Sequence, residues 1–183
     1  MTKQDAISLF HSIYPNFFEK QYIRNLPDDC ICDEMLLCLN KFDPHSYTKE
    51  LNGDVTFGEY HGDLETIQEA VRKVEPNWAY YYNGEQRIYC GYLGSEIVCF
   101  CLISHMGTHS INGRTLKIGG PGCVGTIPEY RNRGIGLTMI KQVTQILKEE
   151  GYDYSYIHYT GVAPWYAKLG YITTVQWNKN SVL

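Results

Sequence analysis

Ile135, Met139, Ile140, Val143, Ile146 and Leu147 fall on one face of a 3.6-residue repeat, with Lys141, Gln142, Gln145 and Lys148 on the other. This predicts a helix over 135–150, closed by Gly151. A second stripe, Leu64, Ile67, Ala70, Val71 and Val74, follows Asp63, a good N-cap, and stops before Pro76. Residues 3–24 repeat Ile7, Phe10, Ile13, Tyr14, Phe17 and Phe18 at helical spacing, with a break at Pro15. Elsewhere the period is two. Val55 to Tyr60 alternates, and Arg87 to Leu93 and Ile97 to Ser104 make a hairpin turning at Gly94-Ser95. Asn112-Gly113 is a further hairpin turn, leading into a strand over 114–126. Strands at 154–159 and 171–177 flank a short helix at 164–169. The apolar run Ile31 to Leu39 fits helix or strand, and Asp43-Pro44-His45 breaks the chain after it. Strands interleaved with helices predict a mixed α/β fold on one central sheet.

Composition narrows the function classes. At 183 residues and 44% hydrophobic content the chain suits one domain with an extension. A net charge of −4 argues against a nucleic-acid partner. No run of 18 apolar residues is present and Met1 to Asp5 is polar, so a membrane span and a signal peptide are not expected. Seven cysteines, an odd count set largely in apolar runs, read as reduced thiols and a cytoplasmic setting. Cys30-x-Cys32 has the wrong spacing for a zinc knuckle, and no metal is expected.

The chemistry concentrates at Arg131-Asn132-Arg133-Gly134-Ile135-Gly136, where a strand passes through a basic, glycine-bearing turn into the 135–150 helix. The first N–H groups of a helix lack intrahelical partners and carry the positive end of its dipole. Gly134 and Gly136 allow close approach of a pyrophosphate, and Arg131 and Arg133 add charge. Neither a P-loop nor a Rossmann fingerprint is present. Gly119, Gly120, Pro121 and Gly122 predict a kinked or bulged strand just before this turn.

Thr126-Ile127-Pro128-Glu129-Tyr130 followed by Arg-x-x-Gly-x-Gly closely resembles the acetyl-CoA-binding motif of the GNAT N-acetyltransferase superfamily. Trp165 to Tyr171 resembles the family's closing Tyr-x-Lys-Leu-Gly-Phe/Tyr signature. The resemblance is firm over 97–177, weaker over 54–94 and absent before residue 50. It implies a single mixed, mostly antiparallel sheet, splayed at its middle strands (118–126 and 153–159) and flanked by helices. Residues 51–183 would be the transferase domain and residues 1–50 a helical N-terminal extension. It further implies acetyl-CoA as co-substrate. The pantetheine arm would bond backbone groups near Val124 and Thr126, and the pyrophosphate would sit on Arg131, Asn132, Arg133, Gly134, Ile135 and Gly136. Tyr166 takes the position of the acid that meets the leaving thiolate. Some members carry a Glu on the strand before the cradle, but no carboxylate stands at 118–128 here. The base is then open among His158, His105, Glu59 and His61, with a water relay as another route. Cys123 reads as packing rather than as a nucleophile. The expected partners are acetyl-CoA and an amine acceptor, with no nucleic acid and no membrane, and a homodimer is allowed. The alternative is a GNAT-like module that holds acyl-CoA as a sensor, or mediates an interaction, without turnover.

Overall fold

The computed structural model describes residues 1–48, 51 and 54–183. The expected domain boundary after residue 50 lies outside the described residues. The elements are α1 (Lys3–Ile13), α2 (Gln21–Arg24), β1 (Cys32–Cys38), β2 (Val55–Glu59), α3 (Leu64–Arg72), β3 (Arg87–Leu93), β4 (Glu96–Ile111), β5 (Arg114–Thr126), α4 (Ile135–Glu149), β6 (Tyr154–Thr160), α5 (Ala163–Ala167) and β7 (Ile172–Trp177). The seven strands form one open sheet in the order β2-β3-β4-β5-β6-β1-β7. The parallel pairing of β5 with β6 comprises Ile118 opposite Tyr154 and Gly119 opposite Ser155. The chain divides into two compact units.

The first unit is Met1–Phe42, His105–Gly119 and Lys148–Leu183. Its α1 opens on a capping box: the Thr2 hydroxyl accepts the Asp5 N–H at 3.2 Å and the Asp5 carboxylate accepts the Thr2 N–H at 3.0 Å. The predicted 3–24 helix is interrupted beside Pro15, where Asn16 turns left-handed (φ 55). The interruption folds Phe17 back against Phe10, their rings 5.1 Å apart, and both are buried with Ala6, Ile23, Val175 and Trp177.

Residues 1–50, expected as a helical extension, contain a strand of the sheet. β1 pairs antiparallel with β6 (Leu36 opposite Tyr156) and with β7 (Leu36 opposite Ile172). Met35, Leu36 and Leu37 are all buried, so the segment has neighbours on both faces and no polar side to alternate. That is why its apolar run carried neither period.

The second unit is Asp43–Ser104 and Gly120–Leu147. Asp63 caps α3 as predicted, accepting the Thr66 N–H at 2.9 Å. The α3 stripe buries Ile67, Ala70 and Val71 with Tyr82, Cys90, Phe100 and Ile127. The β3–β4 hairpin turns at Gly94 (φ 61), and β4 and β5 join through Asn112 (φ 50) and Gly113 (φ 73), both left-handed as a type I′ turn requires. Along α4, Ile135, Met139, Ile140, Val143 and Leu147 are buried, and Gly151 (φ 75) follows its end.

Candidate active site

In the second unit β5 leads through a single 3-10 turn, Pro128–Tyr130, to the start of α4. The kink expected from Gly119-Gly120-Pro121-Gly122 is realised one residue later, where Cys123 adopts φ 46. The Tyr82 hydroxyl holds that conformation by donating to the Cys123 carbonyl at 2.8 Å. Val124 and Thr126 are half-buried, with Gly125 buried between them. The turn then uses two left-handed residues, Asn132 (φ 63) and Gly134 (φ 84), to reverse into the helix. Thr138 N–H is bonded to Gly134 O at 3.0 Å, so the preceding donors of α4 lie at its open end.

Both arginines are tethered at their own turn. Arg131 Nε donates to Thr126 O at 3.1 Å, and Arg133 Nη2 donates to Glu129 O at 2.8 Å. Arg133 also lies over the Tyr130 ring, 5.2 Å from its centroid, while the Tyr130 hydroxyl donates to Glu96 at 2.7 Å. Arg131, Asn132 and Arg133 remain exposed. Two backbone amides in left-handed geometry, a helix start and two tethered cations suit a polyanion. The eight residues expected to bind cofactor thus all fall in one unit. The Cys123 thiol is pushed up to about 11 by burial, which disfavours the thiolate.

The expected acid and base both fall in the first unit. Tyr166 on α5 is buried, with its ring 4.7 Å from Trp165 and 6.0 Å from Tyr171. Tyr171 in turn shares a 2.6 Å hydrogen bond with Ser155. His158 on β6 stacks on Tyr14, centroids 3.9 Å apart, with Phe17 edge-on at 5.4 Å. Its Nδ1 lies 3.0 and 2.9 Å from the two carboxylate oxygens of Glu34, a fully buried residue of β1. The imidazole keeps 23% of its side-chain surface open. Of the other base candidates, His105 is bonded to the Tyr152 hydroxyl at 3.1 Å, Glu59 pairs with Arg87, and His61 is exposed.

Glu34 was not among the sequence candidates. Its signal is an acidic pair, Asp33-Glu34, set inside the apolar run Ile31 to Leu39. Among the described residues, no group of three or more His, Cys, Asp and Glu could hold a metal ion.

Residues 59–174 match the family described as "Acetyltransferase (GNAT) domain". No curated protein matches the sequence. Among solved structures, the chain is similar to a glucosamine N-acetyltransferase region of a fungal multi-domain GH3 β-N-acetylglucosaminidase. The TM-score is 0.70 and the identity 19%, over 82% of this chain and 20% of that one. A GNAT-family acetyltransferase of Novosphingobium aromaticivorans gives 0.51 at 15% identity, over 79% and 61%. A GCN5-related N-acetyltransferase of Kribbella flavida gives 0.55 at 15% identity, over 81% and 56%. This chain therefore spans less than two thirds of each of these, and the likeness is one of fold.

Proposed function

Since this chain belongs to the GNAT acetyltransferase family, we propose that it transfers an acetyl group from acetyl-CoA to a primary amine by direct attack in a ternary complex. The observation that carries the reading is the turn from β5 into α4, where Asn132 and Gly134 are left-handed and Arg131 and Arg133 are tethered to backbone carbonyls. Val124 and Thr126 offer strand backbone to the pantetheine arm, and residues 131–136 receive the pyrophosphate. The residues present fit the group.

Acetyl-CoA supplies the activated carbonyl. The amine nitrogen attacks it, a C–N bond forms, and the C–S bond breaks. Before attack the amine must be neutral, and His158 accepts its proton. Thr126 N–H is assigned to the developing oxyanion. Tyr166 O–H is assigned to the departing thiolate, to which it donates its proton, while the proton that the attacking nitrogen loses as the amide forms restores the phenol through water.

The cradle is tested with two variants of equal size. Gly134→Asp and Gly134→Asn put the same bulk at a left-handed position that both residues tolerate. Only the first adds a charge where phosphate belongs. Titration calorimetry with acetyl-CoA should show Gly134→Asp the weaker by ~10-fold or more, on the scale of a charge-assisted contact. Equal affinities in two folded variants would refute the cradle. Release of CoA against a panel of amines (polyamine, aminoglycoside antibiotic, amino acid, peptide N-terminus, protein lysine) identifies the acceptor.

A further inference from the structure

Glu34 sits in an irregularity of the sheet that both of its neighbours share. Against β6, Asp33 is opposite Thr160 and Met35 is opposite Ile157, so Glu34 alone faces His158 and Tyr159. Against β7, Glu34 is opposite Val175 and Met35 is opposite Thr173, which leaves Thr174 as the extra residue. Two bulges, one on each adjoining strand, therefore meet at one residue. Bulges re-aim side chains and backbone donors. Here they do both. Tyr159 takes a left-handed φ of 53, an uncommon conformation for an aromatic residue, and its N–H turns to Glu34 Oε1 at 3.2 Å. The Thr174 hydroxyl turns to the Glu34 carbonyl at 3.3 Å. Trp177 Nε1–H donates to the same Oε1 at 2.7 Å.

A carboxylate with no exposed surface is costly to place in a sheet, and a packed apolar residue of similar volume is often neutral or better for stability. Two bulges, a left-handed tyrosine and an indole donor spent on one carboxylate thus call for a further role. The remaining partner supplies it: both carboxylate oxygens reach His158 Nδ1. A carboxylate only accepts, so Nδ1 carries the proton and Nε2 presents its lone pair.

Building on the assignment of His158 as base, we infer that Glu34 is its positioning residue, fixing the Nδ1–H tautomer, the ring plane and the charge the ring acquires. In the step, an amine N–H bond breaks and an Nε2–H bond forms. Glu34 stays ionised beside the imidazolium, and the proton afterwards passes from Nε2 to water. The stacked Tyr14 ring closes one face of the imidazole and Phe17 meets it edge-on.

The other titratable and charged groups around the pair are Tyr14 on α1, Tyr22 on α2, Lys20 beside Tyr14 and Phe17, Tyr156 and Tyr159 on β6, and Cys30, Cys32 and Asp33 on the β1 side. Burial holds the Tyr14 and Tyr156 phenols well above their ordinary range, and it pushes Cys32 and Tyr159 up to about 12. These four stay neutral through an ordinary assay, and the Glu34 carboxylate is the group bonded to the ring at Nδ1.

Long-range ¹⁵N–¹H spectra of the unliganded wild-type protein read the tautomer directly. Nδ1–H is expected, and Nε2–H would overturn the inference. Glu34→Gln keeps an acceptor oxygen for Trp177 and Tyr159 but can turn an amide donor toward Nδ1, so the proton should move to Nε2. Its kcat should fall ~10²-fold or more, the range of general base catalysis, with acetyl-CoA affinity unchanged. A folded Glu34→Gln protein with the wild-type tautomer and an unchanged kcat sinks the inference. A fully active His158→Ala protein sinks the base assignment instead, and the spectra tell the two failures apart. Should Glu34→Gln fail to fold, the wild-type tautomer still decides.

Discussion

Gly125 lies between the two β5 residues assigned to the pantetheine arm. A Cβ placed there would come within 2.3 Å of Phe100 Cζ and 2.4 Å of Cε2, against the 3.5–4 Å at which carbon atoms normally rest. The ring has little freedom to yield. Phe100 is fully buried, Tyr82 meets it edge-on at 5.5 Å, and Tyr82 is itself held by its 2.8 Å bond to the Cys123 carbonyl. Gly125→Ala therefore overpacks a site that cannot relax locally, which costs about 1–3 kcal/mol. For a chain of this length one kcal/mol is worth ~2–4 °C, so Tm should drop by ~2–12 °C. In a denaturant titration the midpoint should fall with an unchanged slope. The cause is isolated by adding Phe100→Leu, which removes the ring atoms the new methyl strikes. The double variant should be more stable than the two single costs added together, by at least ~0.5 kcal/mol. A Gly125→Ala protein within ~0.5 kcal/mol of wild type, or strict additivity with Phe100→Leu, would refute the packing argument.

Further outcomes concern Tyr166 and the cysteines. Tyr166→Phe removes one hydroxyl, and if that hydroxyl meets the leaving thiolate, kcat should fall ~10²-fold while acetyl-CoA affinity holds, as read by single-turnover kinetics and calorimetry; unchanged turnover returns Tyr166 to packing. All seven cysteines are free thiols, so denaturing alkylation without reduction should modify every one; with the Cys123 thiol pushed up to about 11, its native alkylation should quicken as pH rises toward that value, and Cys123→Ala should keep most activity, whereas a trapped acyl-protein and an inactive alanine variant would support a covalent route.

Where signals were local, the sequence was legible. The stripes of α3 and α4, the Asp63 cap and the Asn112-Gly113 turn each depend on residues a few positions apart, and all appear where expected. The turn from β5 into α4 was legible for the same reason: its left-handed residues, its arginines and the helix start are contiguous. β1 was not, because a strand buried on both faces shows no alternation. Glu34 was harder still. Its partners His158, Tyr159 and Trp177 are remote in sequence, and bulges bring them to it that no residue pattern announces. The strand before the cradle carries no carboxylate, and the base candidates in the sequence were three histidines and Glu59; Glu34, bonded to one of those histidines, was not among them.

The place of β1 in the sheet also orders events in time. Both neighbours of the strand, β6 and β7, are translated only after β2 to β5 and α4 have followed it. At ~5–20 residues per second, a ribosome takes on the order of ten seconds to deliver β6 after β1 has emerged. During that interval an apolar strand waits with both hydrogen-bonding edges open, the condition under which chains pair with the wrong partner. The helices α1 and α2, made before it, can sequester part of its apolar surface but not those edges. Completion of the sheet, with the bulged frame around Glu34, thus waits until β6 and β7 have been made, and until then β1 is exposed to wrong pairing.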